Sequence, residues 1–152
     1  MPGPAPAALL PWALDGDFTV PGDCTARGRI GYPQPSPSMD RILVLASPES
    51  AGVAPEARES LPWHVYELDV AVGTVRKIGS DFVRPAGLAV AGDTAVVSDS
   101  TGLQAVDVAT GTTSRLAKGS FEAPAASVDG HSIVVTQYPD NDAPRIVIKS
   151  VP

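Results

Sequence analysis

The sequence LDVAVGT, residues Leu68–Thr74, returns later in the chain as VDVATGT, residues Val106–Thr112. The two stretches lie 106 − 68 = 38 residues apart. A fixed period of about 20–50 residues is typical of architectures that repeat one supersecondary unit. The repeat therefore predicts the building unit of the fold and leaves the function open. A second set of residues keeps the same offset: Val90, Gly92, Val96, Val97 and Ser98 recur as Val128, Gly130, Val134, Val135 and Thr136.

Length and composition favour one globular domain. The chain has 152 residues, of which 43% are hydrophobic and 18% charged. Its formal net charge of −6 argues against nucleic acid, which requires a clustered cationic surface, and against anionic membrane surfaces. We therefore expect no nucleic-acid partner and no membrane partner. The single cysteine, Cys24, cannot form a disulfide within the chain.

The N-terminal residues 1–36 are rich in Pro and Gly and are predicted to form a separate segment, with Trp12–Val20 as a candidate closing strand. The first 14 residues contain no Lys or Arg, so they do not have the form of a secretory signal. No apolar run approaches the roughly 18 residues that a membrane span needs. The expected location is cytoplasmic.

Residues 37–152 alternate short apolar runs with turn residues, and no segment has a sustained helical period. Such runs predict β-strands joined by tight turns, in an all-β sandwich, barrel or propeller. Ser47–Pro62 is polar and contains Pro, which predicts a long loop with one helical turn over Pro55–Glu59. The predicted strands are Arg41–Ala46, Trp63–Val70, Thr74–Ile78, Gly87–Ala91, Thr94–Asp99, Leu103–Val108, Thr112–Ala117, Ala126–Val128, Ser132–Gln137 and Arg145–Ser150.

Two phrases of the sequence resemble known propeller repeats. RPAGLAV (Arg84–Val90) followed by TAVVSDS (Thr94–Ser100) resembles an NHL-type or gluconolactonase-like repeat. PSMDRILV (Pro37–Val44) is similar to the opening of a strand in TolB-type and WD-type repeats, with Met39 displacing the first residue of the usual Asp-Gly turn. The resemblance covers about residues 37–150. It implies an all-β β-propeller whose blades are four-stranded antiparallel sheets.

The blade count is incomplete. Three blades are predicted, at about residues 37–80, 85–118 and 124–150, and the third lacks an outer strand that Trp12–Val20 could supply. Propellers have at least about four blades. Residues 1–36 could therefore hold a degenerate fourth blade, two chains could pair into a six-bladed ring, or the chain could be one piece of a larger propeller. Another all-β fold also stays open.

Loops that share one face of a propeller usually carry its site, and the predicted topology places residues 47–62, 80–84, 99–102, 118–123 and 137–144 on that face. Phe82 and Phe121, 121 − 82 = 39 residues apart, either contact a ligand around a mouth or fill gaps between blades. The loop that begins at Tyr138 has carboxylates and an amide suited to a hard cation such as Ca²⁺, although their spacing follows no known calcium loop. His64 and His131 are predicted as turn or surface residues. The predicted binding residues are Phe82, Arg84, Asp99, Phe121, Glu122, Tyr138, Asp140 and Asn141.

These observations favour a non-enzymatic binding or scaffolding module that assembles with itself or with a protein partner, without a cofactor. The alternative is a metal-assisted lactone hydrolase or lyase. The gluconolactonase-like resemblance implies a divalent ion for that activity, with Asp99 and Asn141 as the candidate ligands; no metal site is predicted. A third interpretation is one half of a biosynthetic enzyme whose assembled cavity acts through its shape.

Overall fold

The computed structural model describes residues 29–36, 39–50, 53–58 and 60–152, and these residues form an all-β fold. The candidate closing strand Trp12–Val20 and Cys24 lie outside the described residues. The chain divides into two compact units, residues 1–77 and 78–152. No helix in the described part of the chain is both long and apolar enough to cross a bilayer.

The first sheet has four strands in the order β1-β2-β3-β4, and the boundary between the units falls within its last strand. Two helical turns precede the third strand: a turn of 3-10 helix, Pro48–Ser50, and a turn of α-helix, Pro55–Arg58. The α-helical turn was predicted. The first strand among the described residues was not predicted, since the repeats were expected to begin at residue 37. The strands are β1 (Arg29–Pro35), β2 (Arg41–Ser47), β3 (Trp63–Asp69) and β4 (Thr74–Phe82).

The second strand forms the centre of the first unit. Its sequence is nearly continuous in apolar residues, a pattern that predicts burial on both faces. Five successive residues, Leu43 to Ser47, are buried, and Leu45 and Ala46 are fully inaccessible to solvent. Strand β2 pairs with β1 on one side and with β3 on the other, both antiparallel.

The second unit contains two further antiparallel sheets. The second sheet has four strands and the third sheet has three, in the order β11-β10-β9. A core of six buried apolar side chains joins them: Ala91, Val96 and Leu103 from the second sheet pack with Phe121, Ile133 and Val135 from the third. The strands are β5 (Gly87–Ala91), β6 (Thr94–Asp99), β7 (Gly102–Asp107), β8 (Thr113–Lys118), β9 (Phe121–Ala126), β10 (Ser132–Gln137) and β11 (Arg145–Ser150).

The predicted strand Ala126–Val128 was wrong, because β9 ends where that strand was expected to start. Val128 is fully exposed in the turn that follows. There the Asp129 carboxylate accepts hydrogen bonds from the Ser127 hydroxyl and from the His131 N–H. These bonds build a longer turn than the Gly92-Asp93 turn before β6. The offset of 38 therefore relates β10 to β6 but does not relate β9 to β5.

The repeated sequence, Leu68–Thr74 and Val106–Thr112, forms the same turn twice. The Asp69 carboxylate accepts the N–H of Val72 at 3.0 Å, and the Asp107 carboxylate accepts the N–H of Thr110 at 2.8 Å. The following glycines have φ values of 80° and 75°, in the left-handed region that favours glycine. The repeat thus records a local turn chemistry that joins the last two strands of a sheet.

The turn before β2 corrects the expected role of Met39. Met39 N–H donates to the Ser36 carbonyl at 2.9 Å, as Gly130 N–H donates to the Ser127 carbonyl at 3.1 Å. The φ of Met39 is 60° and that of Gly130 is 74°. Met39 therefore takes the place of the glycine, the second residue of the Asp-Gly pair, and not of the first as predicted.

Each of the three sheets begins near a strained residue that precedes proline. Tyr32, Arg84 and Ala123 have φ values of 56°, 51° and 52°, and the next residue is Pro in all three cases. Proline disfavours helical conformations in the residue before it, so these values need support from the surrounding structure. Arg84 and Ala123 lie 123 − 84 = 39 residues apart, the same separation as Phe82 and Phe121.

Candidate functional site

The second unit contains an open depression of about 240 Å³. Its lining comes from the end of β4, from the end of β6 with the turn that follows it, and from β7 and β8. Residues 80–84 and 99–102, two segments that the predicted topology places on one face, both contribute to it, although residues 80–82 belong to β4 and not to a loop. The lining residues are 80–83, Asp99, Thr101, Gln104 and Thr113.

Asp99 organises one wall of the depression. It is 8% exposed, and its Oδ1 accepts three hydrogen bonds: from the Thr101 N–H at 2.8 Å, from the Thr101 hydroxyl at 2.7 Å and from the Gly102 N–H at 3.2 Å. A carboxylate that accepts backbone N–H groups two and three residues later closes a tight turn. Asp99 therefore fixes the turn between β6 and β7.

Gly102 permits the chain to pass from this turn into β7. Its φ is 142°, and a Cβ at this position would lie 2.1 Å from the carbonyl oxygen of Ala117. Because no side chain can occupy that space, only glycine allows β7 to pair with β8 at this point. The position of the Asp99 turn relative to β8 thus depends on this glycine.

Two polar side chains in the lining were not predicted. Gln104 is only 9% exposed, and its Nε2 donates to the Thr101 hydroxyl at 2.7 Å. The Oγ1 of Thr113 is buried in the structure without a hydrogen-bond partner. A polar residue within an otherwise buried strand is the signal that could have identified Gln104, since buried polar groups are rare and usually have a role. The sequence around Thr113 is not an apolar run, so it gives no such signal.

The chemistry of the lining is acidic and neutral. It includes the carboxylates of Asp81 and Asp99, hydroxyl groups and one amide, and it includes no Lys, Arg or His. A concave surface with carboxylates and no cation favours a neutral or positively charged group over an anion.

The predicted binding residues occupy three kinds of position. Phe82 and Asp99 line the depression. Phe121 is 2% exposed within the core of the second unit, and Phe82 is 1% exposed, so both rings are buried. The others are all exposed: Arg84 precedes Pro85, Glu122 lies on β9, and Tyr138, Asp140 and Asn141 follow β10.

The structure also shows where His64 and the candidate metal ligand Asp99 lie. His64 is 2% exposed in β3, with its Nε2 2.6 Å from the Glu49 carboxylate, so its predicted surface position is wrong. The described residues include no group of three His, Cys, Asp or Glu side chains that could hold a metal. Oδ1 of Asp99 already accepts three hydrogen bonds, so a metal ion at Asp99 would have to bind through Oδ2.

No protein-family model and no curated protein matches the chain. Solved structures do match it. A crystal structure of TolB from Acinetobacter baumannii is similar with a TM-score of 0.60 and 18% identity, over 79% of this chain and 29% of that one. An oligogalacturonate lyase in complex with manganese is similar with a TM-score of 0.59 and 14% identity, over 82% of this chain and 36% of that one.

The chain has a β-propeller-like fold. The three antiparallel sheets of the described residues correspond to partial blades of the predicted kind. The chain spans about a third of the length of the two propeller structures, and at this level of identity the likeness concerns the fold alone. The first, second and third sheets are called the first, second and third blades below.

Proposed function

We propose that the chain is a non-enzymatic binding or scaffolding module, a set of propeller blades that assembles with itself or with a protein partner. The proposal rests on one observation, the exposed apolar surface of β11. Ile146 is 73% exposed and Ile148 is 71% exposed, two residues apart on one strand. Clustered apolar side chains of this kind usually mark an interaction surface.

The acidic depression adds a second surface of small size. Its carboxylates and neutral hydrogen-bonding groups suit a cationic or neutral side chain of a partner, or a small polar ligand. We assign it a supporting role, because Oδ1 of Asp99 is engaged in its own turn and much of the local polarity is used to hold that turn.

The experiment that tests the proposal is the solution mass of the chain, measured by light scattering coupled to size exclusion over a wide concentration range. Self-assembly predicts a mass above that of one chain that rises with concentration. A monodisperse monomer would count against self-assembly, because an uncovered apolar surface promotes association, and it would leave assembly with a protein partner.

The alternative, a metal-assisted lactone hydrolase or lyase, makes a different prediction. A divalent ion that binds the native state raises its melting temperature, and removal of the ion lowers it. Melting curves in EDTA, Ca²⁺, Mg²⁺ and Mn²⁺ therefore separate the two functions. Unchanged melting temperatures favour the binding module, whereas a stabilisation that saturates with ion concentration favours the metal-assisted enzyme.

A further inference from the structure

We propose that the outer face of the third blade, defined by Val134, Ile146 and Ile148, is an interface with a second copy of this chain. This inference rests on the proposed function and names its partner and its surface.

The three side chains lie together on one face of the sheet. Val134 pairs directly with Ile148, and Thr136 pairs directly with Ile146. Directly opposed residues of antiparallel strands point to the same face, and residues two apart on one strand share a face. Val134 is 39% exposed, and the two isoleucines exceed 70%. The result is a continuous apolar patch.

The second blade shows what normally covers this face. Val96 and Val134 are separated by the repeat of 38 residues and hold the same position on β6 and β10. Val96 is fully buried in the core cluster that also contains Phe121 and Ile133 of the third blade. The face that carries Val134 is thus the face that, one blade earlier, is covered by the next blade.

The strand register extends this equivalence to the isoleucines. Val96 pairs with Ala105 as Val134 pairs with Ile148, and Ser98 pairs with Leu103 as Thr136 pairs with Ile146. Ala105 is 3% exposed and Leu103 is fully buried, with Leu103 in the core shared with the third blade. Ile146 and Ile148 therefore sit at positions that are interface positions in the second blade.

A second copy of the chain fits this face in its charge and in the number of blades that it brings. Glu122, on β9, is the charged residue on this side of the sheet, and the neighbouring Ser132, Thr136 and Ser150 are neutral. Two chains of net charge −6 can therefore meet here with little like-charge repulsion. The described residues form three sheets, a propeller ring needs at least about four blades, and two copies bring six.

The test uses the full chain and the double variant Ile146→Lys, Ile148→Lys. Both positions are largely exposed, so the change leaves the fold intact, which circular dichroism and the melting temperature verify. Burial of two ammonium groups in an apolar interface is costly, and we expect self-association to weaken by at least about a hundredfold. The matched control is Val72→Lys, Val128→Lys, at exposed apolar positions outside this face, and it should retain wild-type association.

Two results would overturn the inference. A wild-type chain that stays monomeric at every concentration shows that no second copy covers the face, and it leaves a protein partner as the proposed function. A wild-type oligomer that the double lysine variant does not weaken places the interface elsewhere, and it leaves self-assembly standing. If the lysine variant fails to fold, amide exchange of the wild-type chain decides the matter: β11 should gain protection as concentration rises, and constant protection contradicts the proposal.

Discussion

Met39 and Gly92 adopt the same backbone conformation, with φ values of 60° and 59°. The residue after each, Asp40 or Asp93, accepts a backbone hydrogen bond from a valine N–H at 2.8 or 2.9 Å. The two positions are therefore comparable, although the Met39 turn is longer and only Gly92 is a glycine. This conformation costs a residue with a Cβ about 1–2 kcal/mol. Met39 is 60% exposed, so its side chain returns little packing energy.

Replacement of Met39 by glycine should stabilise the chain. Glycine removes the strain of the left-handed conformation from the folded chain, and it also raises the entropy of the unfolded chain. The first effect is larger, so we expect the free energy of unfolding to rise by about 0.5–1 kcal/mol. The measurement is urea or thermal unfolding. The control Met39→Ala removes the same side chain but keeps the Cβ, so it should not stabilise. Equal effects of the two substitutions would show that backbone strain is not the cause.

Gly79, in β4, allows close approach to β7. A Cβ at Gly79 would lie 2.8 Å from Cγ1 of Val106, and its φ is 74°. Gly79→Ala should therefore destabilise the chain by about 1–3 kcal/mol, since it combines overpacking with backbone strain. Gly31→Ala is the matched control, because a Cβ there meets no atom within 4 Å. Denaturant unfolding measures both, and a Gly79→Ala loss no larger than the Gly31→Ala change would contradict this account.

The sequence predicts best the strands that are bounded by their own turn chemistry. Strands β5, β6, β10 and β11 have the predicted bounds, and the all-β propeller class is confirmed. Turns at Gly92-Asp93, at Asp99 and at Asp129-Gly130 bound β5, β6 and β10, so a short window contains the information. Residues 80–84 and 99–102 meet as expected because the order of strands determines which strand ends share a face.

The parts that sequence analysis missed depend on contacts between distant residues. Strand β1 contains Pro33 and Pro35 and reads as irregular, yet it pairs with β2 at the edge of the first sheet, where proline is tolerated. In the depression, Asp81 on β4 and Gln104 on β7 are distant in sequence and meet only in the folded chain. Neither the edge position of β1 nor this meeting is visible in a local window.

Glu67 carries a buried carboxylate between two arginines. Its side chain is 11% exposed, with Oε1 3.0 Å from Arg76 Nη2 and Oε2 3.6 Å from Arg41 Nη1. The arginines are about half exposed, at 50% and 55%. Loss of Glu67 therefore leaves cations that water can solvate, whereas loss of Arg76 leaves a poorly solvated carboxylate. Removal of one partner of a buried pair is more harmful when the remaining charge is the buried one.

We expect Arg76→Ala to destabilise by about 1–2 kcal/mol and Glu67→Gln by less. The double variant should be more stable than Arg76→Ala alone, because the neutral amide removes the stranded charge. A double-mutant cycle in urea provides the measurement. Simple additivity of the two single effects would show that the ion pair is not coupled as the distances indicate.

Acid should weaken the turns that Asp107 and Asp129 close. Hydrogen bonds from the Thr110 N–H and hydroxyl lower the pKa of Asp107 below 3.8, and those from the Ser127 hydroxyl and the His131 N–H lower the pKa of Asp129. A carboxyl whose folded pKa is depressed stabilises the fold above its unfolded pKa, and this contribution disappears as pH falls through the folded pKa.

The melting temperature of wild type should therefore exceed that of Asp107→Asn, Asp129→Asn at neutral pH, and the gap should close as pH falls below 3.8. The control is Asp140→Asn, which lies in an exposed loop. If the difference in melting temperature between wild type and the double variant did not change with pH, altered turn geometry and not charge would be its cause.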